Sequence, residues 1–452
     1  MAMKTTETIA AIATPPGRGG VGIIRVSGPL VTTIAPHLLG QLPKTRYAHY
    51  GPFLNEDKSV LDQGISLYFA APHSFTGEDV LEIQGHGGPV IMNMLLDRLL
   101  SLGARIAKPG EFSERAFLNN KLDLTQAEAI ASLIEATSNQ AARNAINTLQ
   151  GAFSEQIARL LKKLIQTRTY LEAAFDFPEE DINLATDLTL SEKLNDILNE
   201  FDEILKSANQ GLIMQEGIRV VIAGRPNAGK SSLLNQLTER DTAIVTSTPG
   251  TTRDVLRELI QIDGIPIQII DTAGLRISTD PIEQEGIKRA EKEIAEANLI
   301  LIIQDATEID TSILPQEFLN AKIPSILIYN KIDLLNSTQQ ERLEHISMPY
   351  PHVLLSARMG IGLPHLKQTI KKLLGMTEIT EGQFVARKRH LNALKRARNY
   401  ILEGQNQLLR QGGPELLAED LLQAQQALNE ITGRFTSNDL LGEIFSTFCI
   451  GK

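Results

Sequence analysis

Cysteine is nearly missing, since the 452 residues contain one, Cys449. A single thiol forms no internal disulfide and builds no cysteine-rich metal site, which excludes a disulfide-framed secreted scaffold and fits a reducing compartment. Long apolar runs are missing too. No stretch of about 18 apolar residues occurs, and Met1 to Ile12 lacks a basic start followed by an apolar core, so neither a membrane span nor a leader is expected. Nor is there an excess of positive charge: 44 Lys and Arg stand against 54 Asp and Glu, a formal net charge of −10. Any nucleic-acid contact must therefore come from a local patch. These absences predict a cytoplasmic protein with no membrane partner.

What is present is an ordinary globular composition, 42% hydrophobic and 22% charged, in a chain long enough for about three domains at roughly 150 residues each. Glycine divides it. Fourteen of the 33 glycines lie in the first 110 residues, whereas Glu111 to Gln210 holds only Gly151, with Pro178 its sole proline. That breaker-poor stretch predicts long helices over Leu124–Leu149 and Phe153–Phe177, where apolar residues recur at three- and four-residue steps. Before it, Val21–Val26 and Ile65–Phe69 predict strands of an α+β module. Gln84-Gly-His86-Gly-Gly88, after a strand Val80–Ile83, is read as a tight surface turn.

From Gly217, strand-like runs Arg219–Ala223, Ile265–Ile270, Leu299–Ile303, Ser325–Tyr329 and Val353–Leu355 alternate with helical segments such as Ser231–Leu237 and Glu283–Ala297. That alternation predicts a parallel sheet with helices on both faces. Helical composition returns after Gly375, with Leu391–Leu402 and Leu416–Ile431 clearest. The expected architecture is multidomain: an α+β part over 1–120, a split all-α part over 121–216 and 376–452, and an inserted α/β part over 217–375.

Gly224-Arg-Pro-Asn227-Ala228-Gly229-Lys230-Ser231-Ser232 fits the phosphate-binding loop pattern in its required context, after a strand and before a helix. Successive backbone amides there curl around phosphate oxygens, Lys230 adds a point charge and Ser231 a hydroxyl for Mg²⁺. Asp271-Thr272-Ala273-Gly274 follows a strand and puts a carboxylate on the metal side. Asn330-Lys331-Ile-Asp333 follows another. Asp333 can accept from guanine N1 and the 2-amino group, whereas adenine would leave that carboxylate unpaired, so GTP is selected over ATP. A kinase or ATPase reading conflicts with this segment. Ser356-Ala357-Arg358 completes the base site, and Thr246-Ser247-Thr248-Pro249-Gly250-Thr251-Thr252 reads as a switch loop closing on metal and γ-phosphate. Leu275 stands where a water-orienting glutamine is expected. Arg253, Arg276 and Glu283 are candidates for water orientation or charge stabilisation, though each taken alone reads first as a solvated or salt-bridged side chain.

These motifs, with Gly250-Thr-Thr-Arg-Asp254, Asp271-Thr-Ala-Gly-Leu-Arg276, the opening Ala13-Thr-Pro-Pro-Gly-Arg-Gly-Gly-Val-Gly22 and the closing Phe448-Cys-Ile-Gly-Lys452, resemble the tRNA modification GTPase family called MnmE or TrmE. The resemblance spans the chain, and its terminal motifs are more family-specific than the G motifs. It implies an N-terminal folate-binding and dimerising domain, a split helical domain and an inserted G domain.

The implied function is GTP hydrolysis coupled to (carboxymethyl)aminomethylation at C5 of the tRNA wobble uridine. A flavoprotein partner called MnmG or GidA would bring FAD and NADH. The one-carbon donor would be 5,10-methylene-tetrahydrofolate, with the 5-formyl analogue also binding. Two G domains of a homodimer would meet with K⁺ in place of an arginine finger, held by Asn227, Thr246, Thr248 and Thr251, while Ser231 and Thr252 hold Mg²⁺. Catalysis would then rest on Lys230, Thr252, Asp271 and Glu283, and folate binding on Arg25, Glu82, Lys121 and Lys452.

Two readings stand open for Cys449, a thiol near the folate or a small packed hydrophobe. Two also stand for the basic stretch Arg387-Lys-Arg-His390 with Lys395, Arg396 and Arg398: contact with tRNA phosphates or a solvated helix face. A regulatory GTPase without modification chemistry, such as a ribosome-assembly factor, is the alternative function.

Overall fold

The computed structural model describes residues 7–176, 187–240, 257–262, 265–271, 295, 297–308, 323–345, 350–375, 384–411, 414–434, 438–449 and 451. It divides into two compact units, one of residues 1–134, 148–201 and 392–452, the other of residues 135–147 and 202–391.

The first unit is built on six strands, β1 Ile9–Ile12, β2 Gly19–Ser27, β3 His49–Leu54, β4 Val60–Phe69, β5 Val80–Gly87 and β6 Arg105–Ile106, in the order β3-β4-β5-β2-β1-β6. All neighbours are antiparallel except β1 and β6. Strand alternation sorts its side chains. Ile24, Val26, Leu81 and Ile83 face a core completed by α1 (Val31–Leu39) and α2 (Pro89–Ser101) through Ile34, Leu38, Leu95 and Leu99. The intervening Arg25, Ser27 and Glu82 therefore face the other way. There Ile9, Ala11 and Ala107 pack with Phe112 of α3 (Glu111–Leu118).

Helices α4 (Leu124–Ile134) and α6 (Ala152–Asp176) and the helix Pro414–Thr432 continue this unit. Arg168 NH1 donates to Gln425 Oε1 at 2.6 Å, and Leu124, Ala127, Leu441, Phe445 and Phe448 share a small core.

The second unit holds a sheet in the order β12-β11-β10-β7-β9-β8. Its strands are β7 Ile218–Gly224, β8 Arg257–Ile262, β9 Ile265–Asp271, β10 Leu299–Asp305, β11 Ser325–Asn330 and β12 His352–Leu354. Val220, Ile222, Ile269, Leu301 and Ile328 bury one face against Leu233 and Leu237 of α8 (Lys230–Arg240), the helix that follows α7 (Leu188–Glu216) in the chain, and against Leu366 and Ile370. Ala223, Ile300, Ile302 and Leu327 bury the other against Leu343. Burial on both faces is why β7, β9, β10 and β11 read as apolar runs.

Three expectations are corrected. The helix expected over Leu124–Leu149 is two, α4 and α5 (Asn139–Leu149), because the Ser138 hydroxyl accepts the Ala141 N–H at 3.0 Å and starts a new helix. Gln84 to Gly87 continue β5 rather than forming a turn: Gly85 pairs with Gly22 and Gly87 with Gly19, glycine against glycine across β2. The second sheet is not wholly parallel, since β8 runs antiparallel to β9 at its edge. Among the described residues, no helix is long and apolar enough to cross a membrane.

Candidate nucleotide and N-terminal sites

The nucleotide-binding motifs converge at the C-terminal ends of the second sheet's strands, where a parallel sheet places its ligands. β7 ends in Gly224, and the loop that follows carries Asn227 at φ +64° and leads into α8. Lys230 is buried and its Nζ donates to the carbonyls of Gly224 (2.7 Å) and Arg225 (2.9 Å), so the ammonium is aimed across its own loop. Ser231 and Ser232 are exposed in the first turn of α8. A hydroxyl there is a hard oxygen donor suited to Mg²⁺. Asp271 ends β9 beside Ile222 of β7.

Asn330 joins this loop to the base side. Its Nδ2 donates to Ala228 O at 2.8 Å and its Oδ1 accepts the Ala357 N–H at 2.9 Å. The space a Cβ at Gly229 would need is taken by that Asn330 amide, so this position tolerates only glycine. Asp333 is exposed and oriented by Ser356, whose hydroxyl donates to its Oδ1 at 2.6 Å. Lys331, at φ +67°, ion-pairs with Asp305 at 2.5 Å. Burial alone would raise the Asp305 carboxyl, but Lys331 and Thr307 outweigh it and hold the group below the usual carboxylate range. Arg358 is exposed. Asp305 escaped the sequence reading, although its position at a strand end beside Asn330 in the β10–β11 ladder is the signal that could have found it.

Thr246 to Thr252, Arg253, Thr272 to Arg276, Glu283 and Lys452 lie outside the described residues, and of Asp271 only the backbone is described. The Mg²⁺, K⁺ and switch assignments therefore meet the structure only at Asn227 and Ser231, and at the backbone of Asp271. Among the described residues no group of three His, Cys, Asp or Glu side chains is placed to hold a metal.

In the first unit, Arg25 and Glu82 are direct cross-strand partners on β2 and β5. The Arg25 Nε donates to Glu82 Oε1 at 2.9 Å, with NH2 at 2.7 Å from the same oxygen. The Arg25 guanidinium lies over two rings, 5.5 Å from the Phe75 centroid and 5.7 Å from that of Phe112. Lys121 is exposed and donates to Pro72 O at 3.0 Å, on the segment that carries Phe75. The two rings were not legible in sequence.

The C-terminal segment reaches this unit's β1 end. Cys449 O accepts the Gly110 N–H at 3.4 Å. Gly451, at φ +94°, lies so near Ile12 and Ala13 that an added Cβ would fall 2.6 Å from Ile12 O. Cys449 itself is exposed, which removes its packed reading.

His86, between glycines, is also exposed, and its Nδ1 sits 2.7 Å from Asp62 Oδ1. Burial opposes ionisation of Asp62, yet hydrogen bonds from His86 and Gln63 hold its carboxyl below the usual range. Of the basic stretch, Lys388 pairs with Glu216 at 3.4 Å, Arg396 with Glu430 at 2.5 Å, and His390 is buried, accepting the Arg387 N–H at Nδ1. Part of the stretch is thus paired within the chain, and both readings of it stand.

Similarity to known proteins runs along nearly the whole chain. A family model for the MnmE helical domain matches residues 124–449, and one for the GTP-binding protein TrmE N-terminus matches residues 8–121. The chain is 58% identical over 459 residues to the tRNA modification GTPase MnmE of Saccharophagus degradans, covering 100% of both chains. It is 56% identical over 456 residues to that of Hydrogenovibrio crunogenus, again with 100% of both covered. With that of Chromohalobacter salexigens the identity is 57% over 453 residues, covering 99% of this chain and 98% of the relative.

Proposed function

The chain belongs to the tRNA modification GTPase MnmE family, and on that premise we propose that it couples GTP hydrolysis to (carboxymethyl)aminomethylation at C5 of the tRNA wobble uridine. Residues 217–375 would bind and hydrolyse GTP, residues 1–120 would hold a tetrahydrofolate one-carbon donor and dimerise, and residues 121–216 with 376–452 would join them.

In the nucleotide site, the loop amides of Asn227 to Lys230 bind phosphate oxygens, and the Lys230 ammonium exchanges its loop carbonyls for phosphate. Ser231, with Thr252, would hold Mg²⁺, which neutralises charge developing on the transferred phosphoryl group. Asp333, oriented by Ser356, accepts from the guanine N1 and 2-amino groups. Thr246, Thr248, Thr251 and Asn227 would hold K⁺ between two G domains, and Glu283 would orient water. Leu275 could not orient water itself.

The observation that carries the folate assignment is the Arg25–Glu82 pair, whose guanidinium lies over the rings of Phe75 and Phe112. A carboxylate suits the donor edge of a pterin, while an arginine flanked by aromatic rings suits a flat, partly anionic ligand. Lys121 and Lys452 would meet the ligand's acidic end. The bound folate supplies the carbon that is transferred. The flavoprotein partner with FAD and NADH, the homodimer, the tRNA contact and the cytoplasmic setting are parts of the same proposal.

Calorimetric titration with 5-formyl-tetrahydrofolate tests it, on the full chain and on a variant lacking Lys452. Binding weakened by the truncation supports the one-carbon role. Absence of binding by the intact, folded protein would favour a regulatory GTPase.

A further inference from the structure

The rings that flank Arg25 come from two separate elements. Phe112 is on α3, and Phe75 is on the segment between β4 and β5. Stacking on a guanidinium is a weak contact, too little to fix a loop by itself.

Two ties fix it from behind. Arg115 of α3, 2% exposed, donates through NH1 to Glu78 Oε2 at 2.9 Å, and through NH2 to Glu111 Oε1 at 2.9 Å. Glu78 in turn accepts the Ser27 hydroxyl at 2.8 Å, and Ser27 Oγ lies 2.7 Å from Thr76 Oγ1. Ser27 is two residues from Arg25 on the same face of β2. The second tie is Asn119, whose Nδ2 donates to Thr76 O at 2.7 Å. Thr76, adjacent to Phe75, is fully buried. One guanidinium thus links the helix carrying Phe112 to the segment carrying Phe75 and to the strand carrying Arg25.

We propose that Arg115 is a positioning residue that closes Phe75 and Phe112 on Arg25 and so sets the direction in which the Arg25–Glu82 pair meets its ligand. Arg115 touches no ligand in this scheme. Its consequence for folate rests on the folate reading given above, but its consequence for the rings does not. A buried arginine bridging carboxylates from two elements has this effect because its loss removes the ionic link between α3 and the Glu78 segment, while Glu111 keeps Arg105, so nothing ionic then holds the two elements together at this point.

The absence of tryptophan from the chain makes the test direct. Phe75→Trp installs a sole tryptophan beside Arg25, and Arg115→Met then removes the link at similar volume. With circular dichroism as the check of folding, we expect the emission of the ligand-free double variant to move to the red and acrylamide quenching to rise. We also expect its affinity for 5-formyl-tetrahydrofolate to fall about tenfold or more against Phe75→Trp alone. Asn119→Ala in the Phe75→Trp background cuts the second tie without burying a charge. It should give a smaller shift of the same sign, and Arg115→Lys, which keeps the charge but loses the two-armed bridge, decides the matter if Arg115→Met does not fold: the expected result is a red shift there too, and unchanged emission overturns the proposal.

Unchanged emission in the folded variants overturns the proposal, and so does a shifted emission with unchanged affinity. If the Phe75→Trp and unsubstituted proteins bind no folate while Arg115→Met still shifts the emission, the positioning role stands and the folate reading falls.

Discussion

The two sheets solve the problem of presenting a site in opposite ways. In the second unit, the nucleotide site is built from loops at the ends of parallel strands, and its parts are short contiguous runs. In the first unit, Arg25 and Glu82 stand in mid-strand on antiparallel neighbours, 57 positions apart in sequence, and are joined only by register. A loop site depends on backbone direction and needs few side chains. A sheet-face site depends on which way each strand residue points, and a one-residue slip would bury its charges in the core. The first kind survives as a motif, whereas the second is dispersed through the chain.

Substitutions should keep that contrast sharp by disabling one site without the other. The largest effect is expected from Lys230→Ala, which removes the ammonium now held by Gly224 and Arg225. GTP hydrolysis should fall at least about a hundredfold. Titration of the same variant with 5-formyl-tetrahydrofolate should be unaltered, and a joint loss would show that the two sites are not independent.

Next comes Asp333→Asn, which keeps the shape but turns one acceptor into a donor. GTP use should fall on the order of a hundredfold and xanthosine triphosphate should become a substrate, read by hydrolysis rates with each nucleotide. Unchanged GTP preference would mean the base lies elsewhere.

The smallest effect concerns acid stability of the first unit. Burial by itself would raise the Glu111 carboxyl, but Arg105, the Lys108 N–H and Arg115 reverse that and hold it at about 2, against an ordinary 4.5. A carboxyl whose folded value is lowered stabilises fully above its unfolded value and loses that contribution as pH falls through the folded one. The melting temperature of the first unit should therefore decline between about pH 4.5 and 2, and Glu111→Gln should flatten that part of the profile.

Sequence legibility followed the same division. Apolar runs announced β7, β9, β10 and β11 because strands buried on both faces have no alternation to hide. β8 was missed. It begins with Arg257-Glu258 and buries Ile260 and Ile262 at an edge, a pattern too short and too charged to stand out. The break after Ile134 was invisible because Glu135-Ala-Thr-Ser138 contains neither glycine nor proline, and a serine cap alone ends the continuity. The phosphate loop was legible from Gly224, Gly229 and Lys230. Phe75, Phe112 and Arg115 were not, since their roles arise from partners 30 to 90 positions away that only the folded register supplies.

Asn330 has one more implication. Its amide fastens the carbonyl of Ala228 and the N–H of Ala357, which the proposed nucleotide site puts at its phosphate end and its base end. Those two ends are aligned as the chain folds, so an arriving nucleotide meets a ruler of fixed length. Little configurational entropy is left for it to remove on binding. The Ala357 amide should accordingly exchange its hydrogen slowly even without nucleotide.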